Sequence, residues 1–117
     1  IYNLTKHFTE RYGEDEVATW YFEVWNEPNY YPDFFEGKQA DYFKLYAESA
    51  KAIAKVSPRY RVGGPATAGG DWEPELIAFC KQNNVPIHFI STHWYGVKHG
   101  FLDEFGEKGI VLNPDPT

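Results

Sequence analysis

The sequence predicts an α/β fold built on parallel strands, and three observations carry that prediction. Helical periodicity and short, mostly apolar runs alternate in the order α-β-α-β-α-β, each strand is closed by polar or conformationally special residues, and the helical segments are long enough to cross over. Parallel strands joined this way need crossover connections, which are right-handed. A closed barrel and a doubly wound open sheet both satisfy the pattern. Gly63-Gly64-Pro65 lacks the G-x-G-x-x-G spacing of a phosphate-binding turn, so dinucleotide binding is disfavoured.

Ile1, Leu4, Phe8 and Tyr12 recur at helical spacing, and Gly13 suits a left-handed C-terminal position, so residues 1–12 read as a helix tail. A loop at 13–16 leads into a strand over 17–25, rich in Trp20, Tyr21, Phe22, Val24 and Trp25. The second helix spans 39–56, with Tyr42, Leu45, Tyr46, Ser49, Ala50, Ile53 and Val56 every three or four residues; Pro58 ends it. Lys44, Glu48, Lys51 and Lys55 on its other face read as a solvated surface. A short strand follows at 60–63, and Gly63-Gly64-Pro65 is expected to turn the chain outward. The third helix fits 71–83, with Asp71 as its cap, Pro74 in its first turn, and Leu76, Phe79 and Cys80 as its buried stripe. The third strand runs over 87–91 and is closed by Thr92, His93, Trp94 and Tyr95.

Seventeen acidic against 11 basic residues give a net charge of −6, with the lysines scattered instead of striped, which argues against a nucleic-acid partner. No apolar run approaches the roughly 20 residues that cross a bilayer, so no membrane association is expected. Cys80 is alone, which excludes an internal disulfide, and its apolar helix neighbours make it a buried small residue instead of a nucleophile. His88 and His93 fall on opposite faces of a strand and do not share a metal with His99, so neither a metal nor another cofactor is expected.

The densest signal is Trp20-Tyr-Phe-Glu-Val-Trp-Asn-Glu-Pro-Asn29, a strand that stops abruptly with a carboxyl group at its mouth. Residues 22–29, together with Asp41-Tyr-Phe-Lys-Leu-Tyr46, Val62-Gly-Gly-Pro-Ala66 and Ile90-Ser-Thr-His93, closely resemble glycoside hydrolase family 39 and, within it, the β-xylosidases. The resemblance implies a (β/α)8 barrel and retaining cleavage of β-linked xylose from xylo-oligosaccharides. It places one glutamate after the fourth strand and a second after the seventh. Glu27 matches the first and would be the general acid/base; an apolar surround and the partner carboxylate would favour its protonated form. By the same resemblance Asn26 bonds the sugar 2-hydroxyl and His93 lines the cleavage subsite. Trp94 and Tyr95 could stack on the sugar, and Asn29, Tyr30, Tyr31 and Phe35 would shape the pocket entrance.

A closed barrel needs roughly 200 to 250 residues, so a chain of 117 residues is expected to be one partial catalytic domain, from the helix before the fourth barrel strand to the loop after the sixth. Asp103, Glu104, Glu107 and Asp115 follow no strand, which places the nucleophile outside the chain. The isolated segment is expected to be inactive and, with two raw sheet edges, poorly stable. Oligomerisation of the full-length enzyme stays open. The competing readings are a non-catalytic carbohydrate-binding protein with a degenerate site, and an α-L-iduronidase-like member of the same family. A uronate should recruit basic side chains, whereas the rim positions are mainly aromatic and neutral.

Overall fold

The structure, a computed structural model, describes residues 1–95. Its elements are α1 (Tyr2–Tyr12), α2 (Glu14–Val17), β1 (Tyr21–Glu23), α3 (Gln39–Val56), β2 (Arg61–Ala68), α4 (Glu73–Asn83) and β3 (Phe89–His93). The strands form one parallel sheet in the order β1-β2-β3, with Tyr21 opposite Arg61 and Gly63 opposite Phe89. The alternation and the parallel pairing are those expected.

Helix α3 has the expected bounds. The Asp41 carboxylate accepts the Lys38 N–H at 2.8 Å to close its first turn, and Ser57 leaves it in an extended conformation, as a residue before proline does. Its buried arc is broader than the sequence stripe: Phe43 and Ala47 are buried, while Leu45 and Val56 are only partly so. The cause is α4, whose Phe79 packs 5.2 Å from the Phe43 ring while Trp72, just before that helix, lies 6.4 Å away. Lys44, Glu48, Lys51 and Lys55 are all exposed.

Several boundaries differ from expectation. The predicted strand at 17–25 shrinks to 21–23, because Gly13 at φ 87° ends α1 and the acidic run Glu14, Asp15 and Glu16 starts a helical turn that buries Val17. Gly13 therefore has the expected positive φ, but at ψ 149° it is not left-handed helical. Ile1, Leu4 and Tyr12 are more than half exposed. Asp71 does not cap α4; Trp72 at φ 70° is the N-cap, and Asp71 accepts its N–H at 3.1 Å. Asn84 ends the helix in the left-handed conformation.

Strand β2 runs on to Ala68, five residues past the expected end, so Gly63-Gly64-Pro65 lies inside the sheet. Neither glycine has a positive φ. They are needed for space: a Cβ on Gly64 would lie 2.6 Å from the Tyr42 hydroxyl, which donates to the Val24 carbonyl at 2.9 Å. Burial pushes the Tyr42 phenol well above its usual range, and Tyr46, bonded to the Pro86 carbonyl, likewise.

Cys80 is buried in α4, and desolvation pushes its thiol from 9.0 up to about 11. A raised folded-state value means that its contribution to stability is full below about pH 9 and is lost as the pH rises through about 11. The thiol is expected to resist a disulfide-exchange reagent at pH 8 and to react fully in denaturant. Prompt labelling of the native protein would contradict its burial.

Candidate active site

Strand β1 ends at Glu23, and the next residues leave the ladder through two left-handed positions, Trp25 at φ 69° and Glu27 at φ 48°. On the neighbouring strand Ala66 is also left-handed, at φ 54°, in an irregularity between Pro65 and Thr67. The Glu27 N–H donates to the Ala66 carbonyl at 2.9 Å, so the two unusual backbone positions are bonded to each other. Non-glycine residues in this region cost on the order of 1 kcal/mol each and persist where surrounding structure imposes them, commonly at functional sites.

The C-terminal ends of the three strands converge. The Gly69 N–H donates to the His93 carbonyl at 2.9 Å, the Thr92 hydroxyl donates to the Thr67 carbonyl at 3.2 Å, and His93 Nδ1 lies 3.0 Å from Glu27 Oε1. The Glu27 side chain is 9% exposed and that of His93 30%, so this carboxyl–imidazole contact is shielded at one end and open at the other. The bond is drawn with the imidazole N–H donating to a carboxylate or with a carboxylic acid donating to the bare ring nitrogen. Both fix Oε1 and leave Oε2 to other partners.

Asn26 is exposed and, with Trp25 and Phe34, lines a cleft of ≈ 390 Å³ next to Glu27 in sequence. The Trp25 indole donates to the Phe34 carbonyl at 2.8 Å and packs 5.8 Å from the Phe35 ring, which holds this wall in place. Trp94 is 79% exposed and Tyr95 53%. The Trp94 ring lies over Gly70, where a Cβ would meet it at 3.6 Å.

The loop residues expected at the entrance divide. Tyr31 is exposed, Tyr30 pairs with Phe34 at 5.1 Å between centroids, and Phe35 lies between Trp25 and Tyr42 as packing. Asn29 is bonded to the Ala68 backbone. Neither that attachment nor the His93–Glu27 contact is visible in the sequence. His88 Nδ1 accepts the Val62 N–H at 3.1 Å, and among the described residues no three His, Cys, Asp or Glu side chains gather as a metal site. His99, Asp103, Glu104, Glu107 and Asp115 lie outside the described residues. Among the described residues no helix is long and apolar enough to cross a membrane.

Residues 1–105 match the family model described as glycosyl hydrolases family 39. The chain is 56% identical over 95 residues to a β-xylosidase of Caldicellulosiruptor saccharolyticus, covering 81% of this chain and 20% of that protein. It is 45% identical over 118 residues to a β-xylosidase of Geobacillus stearothermophilus, covering 97% of this chain and 23% of that one. The crystal structure of a monomeric β-xylosidase from Caulobacter crescentus superposes with a TM-score of 0.84 at 47% identity, over 98% of this chain and 23% of the other. The chain thus spans about a fifth to a quarter of the length of these relatives.

Proposed function

Because this chain belongs to glycosyl hydrolases family 39, and its three-stranded sheet is a segment of that family's (β/α)8 barrel, we propose that the protein carrying it is a retaining glycosidase. It releases β-linked xylose from xylo-oligosaccharides, with Glu27 as general acid and base. The observation that carries the reading is a buried carboxyl group at the shared C-terminal end of the strands, held at 3.0 Å by His93. That end of a barrel is where catalytic side chains gather.

In the first step Glu27 protonates the leaving oxygen while a carboxylate from a later strand attacks the anomeric carbon. In the second step Glu27 takes a proton from a water whose oxygen attacks the anomeric carbon and displaces that carboxylate, which releases the sugar with its configuration kept. An Nδ1–H bond from His93 to Oε1 would leave Oε2 as the atom that carries the transferred proton. Asn26, exposed on the cleft wall, would bond the sugar 2-hydroxyl, a contact that strengthens as the ring flattens in the transition state. His93 offers Nε2 to the sugar, and the exposed Trp94 and Tyr95 rings offer stacking faces.

The test is to follow hydrolysis of an aryl β-xyloside by the full-length protein with proton NMR, reading the first anomer released. The expected product is β-xylose, appearing before mutarotation. First release of the α-anomer, binding of xylo-oligosaccharide with no turnover, or cleavage confined to an α-L-iduronide would overturn the proposal.

A further inference from the structure

We propose that Asn29 is a positioning residue for Glu27: its side-chain amide clamps the loop after β1 to the end of β2 and so sets where the carboxyl group sits. The inference rests on the acid/base reading of Glu27 and adds a residue to it. Asn29 Nδ2 donates to the Ala68 carbonyl at 2.9 Å, and Asn29 Oδ1 accepts the Ala68 N–H at 2.9 Å. This paired geometry copies what one strand residue makes with a neighbouring strand, using a side chain in place of backbone. Both ends of the amide are thereby engaged with the protein, which separates Asn29 from the neighbouring rim residue Asn26.

The clamp lies two residues beyond Glu27, whose own N–H bonds the Ala66 carbonyl. Glu27 therefore lies just before a doubly bonded anchor, with its φ of 48° held by attachments at its own N–H and at residue 29. The third hold is His93 on the carboxyl itself. Pro28 between them is buried and has no N–H with which to anchor the loop, and the Tyr30 N–H closes the turn on the Glu27 carbonyl at 3.0 Å, so beyond the Glu27 N–H it is the Asn29 amide that ties this turn to β2. Losing the amide frees the loop to relax toward an unstrained φ, which swings the carboxyl group away from the leaving oxygen.

The experiment compares Asn29→Ala and Asn29→Asp with the parent in the full-length protein. It reads kcat/KM for xylobiose, whose leaving group needs a proton, and for 2,4-dinitrophenyl β-xyloside, whose leaving group does not. A displaced acid lowers the xylobiose value by roughly 10- to 100-fold and the dinitrophenyl value by less than about threefold. Asn29→Asp keeps an acceptor for the Ala68 N–H but sets a carboxylate against the Ala68 carbonyl, so it should show the same pattern. The ratio of two rates on one preparation does not depend on the folded fraction. Equal losses on both substrates, no loss on either, or failure of both variants to fold would overturn the role. Glu27→Gln in the same assay separates the two ideas. If it shows no leaving-group dependence the acid assignment itself fails, whereas if it does and the Asn29 variants do not, only this inference fails.

Discussion

Glu27→Gln in the full-length protein is expected to lower kcat/KM for xylobiose by roughly 10²- to 10⁴-fold while leaving 2,4-dinitrophenyl β-xyloside within about threefold of the parent. The amide has the shape of the carboxyl group and keeps an oxygen able to accept from His93 Nδ1, so the local geometry, including the Glu27 N–H bond to Ala66, should persist. What it lacks is a proton to give. Glycosylation by an activated substrate needs none, so kcat/KM for that substrate survives. Breakdown of the intermediate then lacks its base, and turnover stalls after a burst of dinitrophenolate equal to the enzyme. Azide, which attacks without a base, should restore turnover. A variant that loses both substrates alike would show that residue 27 holds the structure instead of donating a proton.

Much of the framework that delivers Glu27 is legible in the sequence because it depends on local periodicity. The α3 bounds follow from apolar spacing and the proline after Ser57, and α4 ends at Asn83 as expected. Strand β2 is less legible because a parallel strand buried along almost its whole length carries no alternation, so its end is set by partners far away in the chain. β2 reaches Ala68 because β3 pairs with it out to His93, and because the loop after β1 is bonded to Ala66 and Ala68. Nothing within residues 60–68 announces either neighbour.

The site divides the same way. Glu27 and His93 stand out as residues, but their contact across 66 positions arises only when the strand ends meet. Asn29 reads as an entrance residue because an amide beside a proline resembles any turn; its partners are backbone atoms, which leave no mark on a sequence. The Trp25 and Phe34 wall is hidden for a related reason. Trp25 belongs to the predicted strand, and only its φ of 69° turns its ring out to the cleft.

Gly63→Ala is expected to destabilise the protein by about 3 kcal/mol, seen as a lower denaturant midpoint for the transition that contains this segment. Gly63 faces Phe89 across the sheet, and a Cβ there would lie 2.3 Å from the Phe89 carbonyl oxygen and 2.6 Å from its ring. The oxygen is backbone in a paired strand and cannot rotate aside, so β2 and β3 would have to separate at their first paired residue. The Phe89 ring is also held, 5.3 Å edge-on to Tyr21, whose own face is covered by the Arg61 guanidinium at 3.8 Å. Separation at this point propagates toward the site, because the same pair of strands carries Ala66 and His93 to Glu27. Gly69→Ala is the matched control. That residue has φ 72° and open space where a methyl group would sit, so its substitution bears the cost of the backbone alone, about 1 kcal/mol. A midpoint for Gly63→Ala at or above that of Gly69→Ala would show that the strands can yield without cost. Catalysis would then have to rely on something other than a rigid register between β2 and β3 to bring His93 within 3.0 Å of Glu27.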